Sequence, residues 1–359
     1  MNHGRRCLLA TIIRRARPRR MAPSKLQKLA SALRGAVILG MGTGKGRREA
    51  LLGVDLSGQG VRVLELAPGG LEAPQVVALA SAKLPDLGAL SAEDRLAAQG
   101  EALRRCCQAS GTGARYAALA VPTAAVLTAV VPFEAGLDDD TLALRVTLEA
   151  EHHLSVSLDT VALDFERLGL RRDGQEDVLL VACRQEDVAL RQRVAEVAGL
   201  EASVVDIEGY ALWRALRLAR PEAEGQASVS ALLFFGAVAV QLFIYEGNRP
   251  LYWRQDPLGV GAGGGSAAYL EVAPAQAERA LANLYAAHPT TVVDDVAVAG
   301  PGALVPGLLP RLEAQLGRSC WVTDPFLRMT LGPGVGGELL AQEAPAYMVA
   351  CGLAQRGLP

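Results

Sequence analysis

The chain has 359 residues, enough for two or three domains and a substantial hydrophobic core. Half of its residues are hydrophobic, but no stretch reaches the roughly 18 uninterrupted apolar residues that a membrane-spanning helix needs. With 21% charged residues, and with 38 Gly and 19 Pro in no regular period, the composition also excludes collagen and a chain that is disordered throughout. The sequence therefore predicts a folded globular protein.

Charge is distributed unevenly along the chain. Residues 1–50 contain 13 Lys and Arg residues and one acidic residue, Glu49, whereas residues 51–359 carry 23 basic and 37 acidic residues, a net charge of −14. An acidic body argues against nucleic acid as a partner, because phosphate binding needs a clustered basic surface. The basic segment has three interpretations: a basic arm, a targeting segment, or sequence upstream of the translation start. Its apolar run at 8–13 is short for a secretory signal peptide.

The predicted secondary structure begins at residue 50 and is a mixture of strands and helices. Period-two alternation and short apolar runs predict the strands, and helical spacing predicts the helices. Two strand–turn–strand hairpins, each followed by more sheet and then helix, predict a duplicated two-lobed α/β architecture. A strand–helix–strand–strand–helix series between them predicts a small α+β subdomain. The predicted strands are 51–56, 61–66, 75–84, 116–121, 126–133, 161–168, 178–184, 202–207, a hairpin over 231–245 and 251–254, and 296–299; the predicted helices are 92–109, one opening at 137–140, 187–198, 209–218, 276–287, 308–316 and 344–355.

The glycine-rich turn of the first hairpin is a candidate phosphate site. It contains Ser57, Gly58 and Gly60, and Asp55 stands at the end of the first strand. Such a turn can point several backbone N–H groups at an anion, and a carboxylate beside it can hold a metal-bound water. The alternative is a tight hairpin whose glycines only relieve the strain of a positive φ.

Other nucleotide-like or metal-like motifs do not meet the requirements of their chemistry. The run 40–46 has Gly46 where a P-loop needs Ser or Thr, and the glycine run 261–265 does not open a helix after a buried strand, so we interpret it as a flexible loop. The adjacent His152 and His153 point to different faces and indicate a solvated helix end rather than a metal site. The six cysteines form no C-x-x-C pair, which indicates reduced thiols.

Several collinear segments then carry a family resemblance. They are 53–57 (GVDLS), 61–66 (VRVLEL), 120–122 (AVP), 164–166 (DFE), 180–184 (LVACR), 205–212 (VDIEGYAL), 324–326 (DPF) and 344–354 (APAYMVACGLA). In this order they resemble segments of the PilM family, the actin-like cytoplasmic proteins of type IV pilus assembly. The resemblance covers most of residues 50–358.

The resemblance implies an α/β, actin-like (ribonuclease H-like) fold of two lobes that flank a nucleotide cleft, with an inserted small α+β subdomain. Family members begin a few residues before the first strand, so a start at Met41 is expected, with 1–40 upstream of it. The implied divisions are a basic extension at 1–49, a first lobe at 50–123, an inserted 1C-type subdomain at 124–200, a connecting strand and helix at 201–229, a second lobe at 230–335, and a C-terminal helix at 336–359 that returns to the first lobe.

By the same resemblance the cleft is expected to bind ATP and magnesium, with Asp55 near the metal. The implied contacts are Asp55, Ser57, Gly58 and Gly60 in the first lobe, and Gly236, Gly300 and Gly302 in the second. Two departures weaken this expectation. Phe234 stands where actin-like ATPases have the aspartate of a second phosphate hairpin, and Pro301 interrupts the glycine turn on the adenosine side. Since a positioned acid or base contributes about 10²–10⁴ to a rate, hydrolysis is expected to be weak or absent.

The resemblance also implies a partner and a location. The partner is the short cytoplasmic tail of the membrane protein PilN, held in a groove between the first lobe and the inserted subdomain. The protein would lie in the cytoplasm, peripheral to the inner membrane through that partner, and self-association is possible. The alternatives are an active ATP-hydrolysing switch, the cytoplasmic domain of a type II secretion component, and, more remotely, a sugar-kinase-type enzyme. The type II interpretation predicts a spanning helix after the domain, which the sequence to Pro359 does not contain.

Overall fold

The computed structural model describes residues 50–69, 73–155, 157–219, 229–246, 249–259 and 265–358. The basic extension with its expected start at Met41, the run 40–46, the charged linker 220–225 and most of the glycine run 261–265 lie outside the described residues. In chain order the strands and helices are β1 (Leu51–Leu56), β2 (Gly60–Ala67), β3 (Gln75–Lys83), α1 (Ala92–Ser110), β4 (Tyr116–Val121), β5 (Val126–Glu134), α2 (Asp139–Leu154), β6 (Val161–Leu170), β7 (Gln175–Arg184), α3 (Gln185–Val197), β8 (Glu201–Ile207), α4 (Glu208–Ala219), β9 (Val229–Phe235), β10 (Ala239–Glu246), β11 (Arg249–Pro257), α5 (Ser266–Ala287), β12 (Asp295–Ala299), α6 (Leu308–Leu316), β13 (Trp321–Val322), β14 (Thr330–Leu331), α7 (Gly337–Glu343) and α8 (Met348–Ala354).

Two sheets share one strand arrangement. The six-stranded sheet has the order β14-β3-β2-β1-β4-β8, and the five-stranded sheet has the order β11-β10-β9-β12-β13. In each, the first three strands form an antiparallel meander, and the next two add in parallel beside the first strand. This repeated arrangement confirms the duplicated α/β architecture and the actin-like fold that the resemblance implies.

A smaller antiparallel sheet, of order β5-β7-β6, follows the fourth strand of the first lobe. It packs against α2 around its own core, which includes Phe133, Leu142 and Leu180. The next helix, α3, places Val194 in the core of the first lobe, beside Leu103 of α1. The chain thus leaves the first lobe to form this α+β unit and returns to it.

One hydrophobic cluster joins the two large sheets through α4 and α8. The close packing of α8 against α4 and β1 requires glycine at two positions. A Cβ on Gly352 would lie 1.8 Å from the Ala211 carbonyl oxygen of α4, and a Cβ on Gly53 of β1 would lie 2.2 Å from the Ala350 carbonyl oxygen of α8. Since no side chain tolerates such distances, these glycines hold α8 between β1 and α4.

The helix predicted at 276–287 begins ten residues earlier, at Ser266. Pro274, inside this helix, has no N–H to donate and therefore leaves the Leu270 carbonyl without its usual helical partner. The Nη1 atom of Arg311, on α6, lies 3.5 Å from that carbonyl oxygen and donates to it. Arg311 therefore offers the Leu270 carbonyl a partner from another helix.

Candidate functional site

In the predicted phosphate turn of the first lobe, the residues of the turn hydrogen-bond to one another. The Ser57 N–H donates to the Gly60 carbonyl at 3.0 Å, and the Gly60 N–H donates to the Ser57 hydroxyl at 3.1 Å. Neither Gly58 nor Gly60 has a positive φ, so strain relief does not explain these glycines. At Gly60 the reason is space, because a Cβ there would lie 2.8 Å from the Ala82 carbonyl oxygen.

Two carboxylates lie at the ends of β1 and β8: Asp55 is buried, and Glu208 is half-buried. Burial raises the pKa of Asp55 to about 6, although Arg62, with its Nη1 3.8 Å from the carboxylate, opposes the shift. Burial, and then the charge of Asp55, raise the pKa of Glu208 to about 7, while hydrogen bonds from Gln241 of β10 and the Thr123 backbone lower it. The hydrogen bond from Gln241 connects Glu208 to the second lobe. Glu208 was not among the residues predicted for the site, although its position just after a buried parallel strand was a usable signal.

The second-lobe residues predicted for the cleft meet around Tyr269. The Tyr269 hydroxyl donates to the Gly236 carbonyl at 2.8 Å, and a Cβ on Gly302 would lie 2.0 Å from that hydroxyl oxygen. Gly300 has φ +88°, and a Cβ there would lie 2.6 Å from the Phe235 carbonyl oxygen. Tyr269 is itself buried.

The Tyr269 hydroxyl lies between two of the turns that were predicted to contact an adenine nucleotide, those at Gly236 and Gly302. Phe234, which replaces the expected aspartate, is buried in the cluster between the sheets. Among the described residues no group of three or more acidic, histidine or cysteine side chains is placed to hold a metal ion.

A separate groove opens beside the three-stranded sheet. From that sheet it is lined by Asp164 of β6 and by Leu179 and Val181 of β7; from the first lobe it is lined by Val205 of β8 and Tyr210 of α4. The lining is mainly apolar, and it lies between the first lobe and the inserted α+β unit. A concave, largely apolar lining with a few convergent polar groups is typical of a ligand site.

An ionic cluster lies at one side of the groove. The Arg214 guanidinium contacts the Asp206 carboxylate and donates from Nε to the Gly352 carbonyl at 2.8 Å. The Nε of Arg356 lies 3.7 Å from the same carboxylate. Although burial alone would raise it, the two guanidiniums hold the pKa of Asp206 below its usual range. These contacts connect the groove to α8 and to the end of the chain.

The pKa values of two further carboxyl groups of the groove are raised, whereas that of Asp206 is lowered. Burial raises the pKa of Asp164 to about 8 and that of Glu166 to about 7. The backbone N–H of Phe165 donates to Asp164 Oδ1 at 2.9 Å. Sequence reasoning singled out these residues only as part of a family segment. Asp206 and Arg214, which line the groove with them, are about forty or more positions further along the chain. No local sequence pattern predicts that such distant residues meet.

No described helix combines the length and apolar character that crossing a bilayer requires.

Histidines 152 and 153 lie in the last turn of α2, where His153 is 3.6 Å from Glu149. Every cysteine among the described residues is a free thiol. The exposure of His152 and His153 agrees with the prediction of a solvated helix end.

Comparison with known proteins places these observations in a family. The chain is similar to a solved structure described as the PilM-PilN type IV pilus biogenesis complex, with 24% identity and a TM-score of 0.71 over 87% of this chain and 100% of that chain, a likeness that shows the fold. More distant similarities include the ethanolamine utilization protein EutJ from Carboxydothermus hydrogenoformans, with 14% identity and a TM-score of 0.46 over 92% of this chain and 99% of that chain. The cytoplasmic domain of EpsL, an inner membrane component of the type II secretion system of Vibrio cholerae, matches with 11% identity and a TM-score of 0.41 over 86% of this chain and 94% of that chain. The model of the family "Type IV pilus assembly protein PilM" matches residues 53–263 and 267–358, and the chain therefore belongs to this family.

Proposed function

We propose that the protein is a scaffold of the type IV pilus assembly machinery that binds the cytoplasmic tail of a PilN-like membrane protein. The groove between the first lobe and the three-stranded sheet carries this proposal, because it is a mainly apolar recess within the residues that the family model matches. The similar structure is itself a complex of PilM with PilN. In this proposal the protein lies at the cytoplasmic face of the inner membrane and is held there by its partner.

The groove has an apolar wall on β7 that continues onto the edge strand β5. Its β7 wall presents Leu179 and Val181 toward the bound segment. Val130 of the edge strand β5 pairs with Leu179, so it points to the same face of the sheet, where 55% of it is exposed. A tail that inserts apolar side chains would cover these residues and gain about 25 cal/mol for each Å² removed from water.

The first test is to place a charge in the groove. In the full-length protein we expect Val181→Arg to weaken binding of a synthetic PilN-like tail peptide at least tenfold, about 1.4 kcal/mol, because the guanidinium would occupy the apolar wall. Isothermal titration calorimetry measures the change. Val130→Arg, at the exposed rim, is the second variant, because it is the less disruptive of the two for folding.

Val292→Arg is the matched control, since Val292 is 72% exposed in the second lobe. It should bind the peptide as the unaltered chain does. Equal affinities for all three variants, each with an unchanged melting temperature, would contradict the groove as the site.

A nucleotide-dependent switch is the second candidate. It is favoured by the carboxyl groups of Asp55 and Glu208, and it would use Ser57, Gly58 and Gly60 with Gly236, Gly300 and Gly302 around ATP and magnesium. The Tyr269 ring between the second-lobe turns argues against it.

We therefore expect Mg·ATP to bind the full-length protein with a Kd above about 1 mM, which corresponds to less than about 4 kcal/mol. Calorimetric titration checks this expectation. Tighter binding that Asp55→Asn abolishes would favour the switch over the nucleotide-independent scaffold.

A further inference from the structure

Two of the glycine turns that were predicted to contact a nucleotide meet at one side chain of the second lobe, Tyr269. Its hydroxyl donates to the Gly236 carbonyl at 2.8 Å. A Cβ built on Gly302 would lie 2.0 Å from the same hydroxyl oxygen. The hydroxyl therefore lies against both the turn after β9 and the turn after β12, which are distant from each other in the chain.

Protein atoms explain the glycines of the second of these turns. At Gly302 a Cβ would also lie 2.8 Å from Cζ of Tyr269 and 2.8 Å from Cβ of Phe235. Gly300 has φ +88°, and a Cβ there would lie 2.6 Å from the Phe235 carbonyl oxygen. A side chain at either position would collide with residues of the second lobe. These glycines therefore make room for Tyr269 and Phe235.

Tyr269 is held in this position at both ends of its side chain. It lies in the first turn of α5, is only 8% exposed, and belongs to the core cluster of the second lobe together with Leu281 and Leu308. A buried hydroxyl without a partner is costly, so the hydrogen bond to the Gly236 carbonyl fixes the other end. Moving the side chain away would lose both the burial and this hydrogen bond.

We infer that Tyr269 is an autoinhibitory contact: its hydroxyl joins the Gly236 and Gly302 turns and so keeps a nucleotide out of the second-lobe half of the cleft. This inference concerns the cleft and does not depend on the groove or on the proposed partner. It assigns the barrier to one side chain, so truncation of that side chain should open the space between the two turns.

Both turns have backbone hydrogen bonds that do not involve Tyr269. The Gly300 N–H donates to the Pro345 carbonyl, in the segment that leads into α8, at 2.8 Å. The Gly236 N–H donates to the Ala239 carbonyl at 3.0 Å. Because these bonds persist when the ring is removed, we expect the two turns to keep their conformations in a Tyr269 variant.

The test is calorimetric titration of the full-length protein with Mg·ATP. We expect Tyr269→Ala to bind Mg·ATP at least tenfold more tightly than the unaltered chain does, because the space between the turns is then open. Tyr269→Phe is the second variant, since it keeps the ring in the core. It should give a smaller gain, about threefold, because the hydroxyl no longer ties the side chain to Gly236.

Tyr285→Ala is the matched control, because Tyr285 lies near the other end of α5 and is 38% exposed. It should bind Mg·ATP as the unaltered chain does. Circular dichroism melting of each variant shows whether it is folded.

A second readout does not depend on the nucleotide. Gly302→Ala should lower the urea midpoint of the unaltered chain, because the new methyl group would lie against the Tyr269 hydroxyl. In the Tyr269→Ala protein this decrease should shrink by about half or more. The contact with Phe235 accounts for the decrease that remains.

Equal Mg·ATP affinities for the unaltered chain and for both folded Tyr269 variants would overturn the inference. Binding by the unaltered chain with a Kd below about 0.1 mM would also overturn it, since the contact would then not exclude the nucleotide. The same is true of a Gly302→Ala decrease that is equal in both backgrounds. Binding of the tail peptide should be unchanged in the Tyr269 variants, so failure of this inference would leave the proposed function as it stands.

Discussion

Replacing Asp206 by Asn is expected to lower the free energy of unfolding by about 3–5 kcal/mol, because it removes the carboxylate that two buried guanidiniums share. Asp206 is buried on β8, Arg214 contacts it directly, and Arg356 lies 3.7 Å away. The pKa of Asp206 is lowered, so its contribution is present above the unfolded-state pKa near 3.8 and is lost as pH falls through the folded-state value. Urea denaturation at pH 7 measures the change.

Asp164→Asn provides the contrast within the same groove. The folded-state pKa of Asp164 is about 8, above its unfolded value, so its ionisation destabilises the fold as pH rises toward 8. An uncharged amide avoids that loss, and at about pH 8 this variant should be as stable as the unaltered chain or more stable. A loss in Asp164→Asn equal to that in Asp206→Asn would contradict the assignment of opposite roles.

The second large effect is expected at Gly352. Gly352→Ala should lower the free energy of unfolding by about 3 kcal/mol or more, because the new methyl group would lie 1.8 Å from the Ala211 carbonyl oxygen. To relieve this contact α8 must move away from α4, and that movement also disturbs the hydrogen bond from Arg214 to the Gly352 carbonyl. Denaturant unfolding and the yield of folded protein both report the effect.

Gly58→Ala is the matched control for this substitution. No atom lies within 4 Å of a Cβ built on Gly58, and its φ is not positive. A change within about 0.5 kcal/mol is therefore expected. Equal stability of the Gly352→Ala and Gly58→Ala variants would mean that α8 is not packed against α4 as described.

The sheets could be predicted from the sequence because their signals are local. Alternation in β2 and glycine-rich turns after β1 mark the first hairpin, and the same signals mark β9 and β10. Short elements lack such a signal: β13 and β14 have two residues each and are defined by the strands beside them. The start of α5 at Ser266 was not predicted, and Pro274, a residue that usually interrupts helices, lies within the ten residues that were missed.

The candidate sites divide in the same way. Asp55 could be proposed from the turn that follows it, but Tyr269 could not, because its contact with Gly236 depends on how α5 packs against β9. The groove is formed by residues of β6, β7, β8 and α4. The ion pair between Asp206 and Arg214 within it depends on the folded structure, so the sequence could not predict it. The expected partner and the expected groove between the first lobe and the inserted subdomain therefore came only from the family resemblance, and sequence reasoning could not assign the groove residues.

Hydrogen exchange of the full-length protein, with and without the PilN-like tail peptide, tests the central claim most directly. We expect the peptide to slow amide exchange in β6, β7 and the first turns of α4, which border the groove. Exchange at the β1–β2 turn and at Gly236, near the cleft, should not change. Protection confined to those two turns, with exchange in β6 and β7 unaltered, would contradict the groove as the partner site.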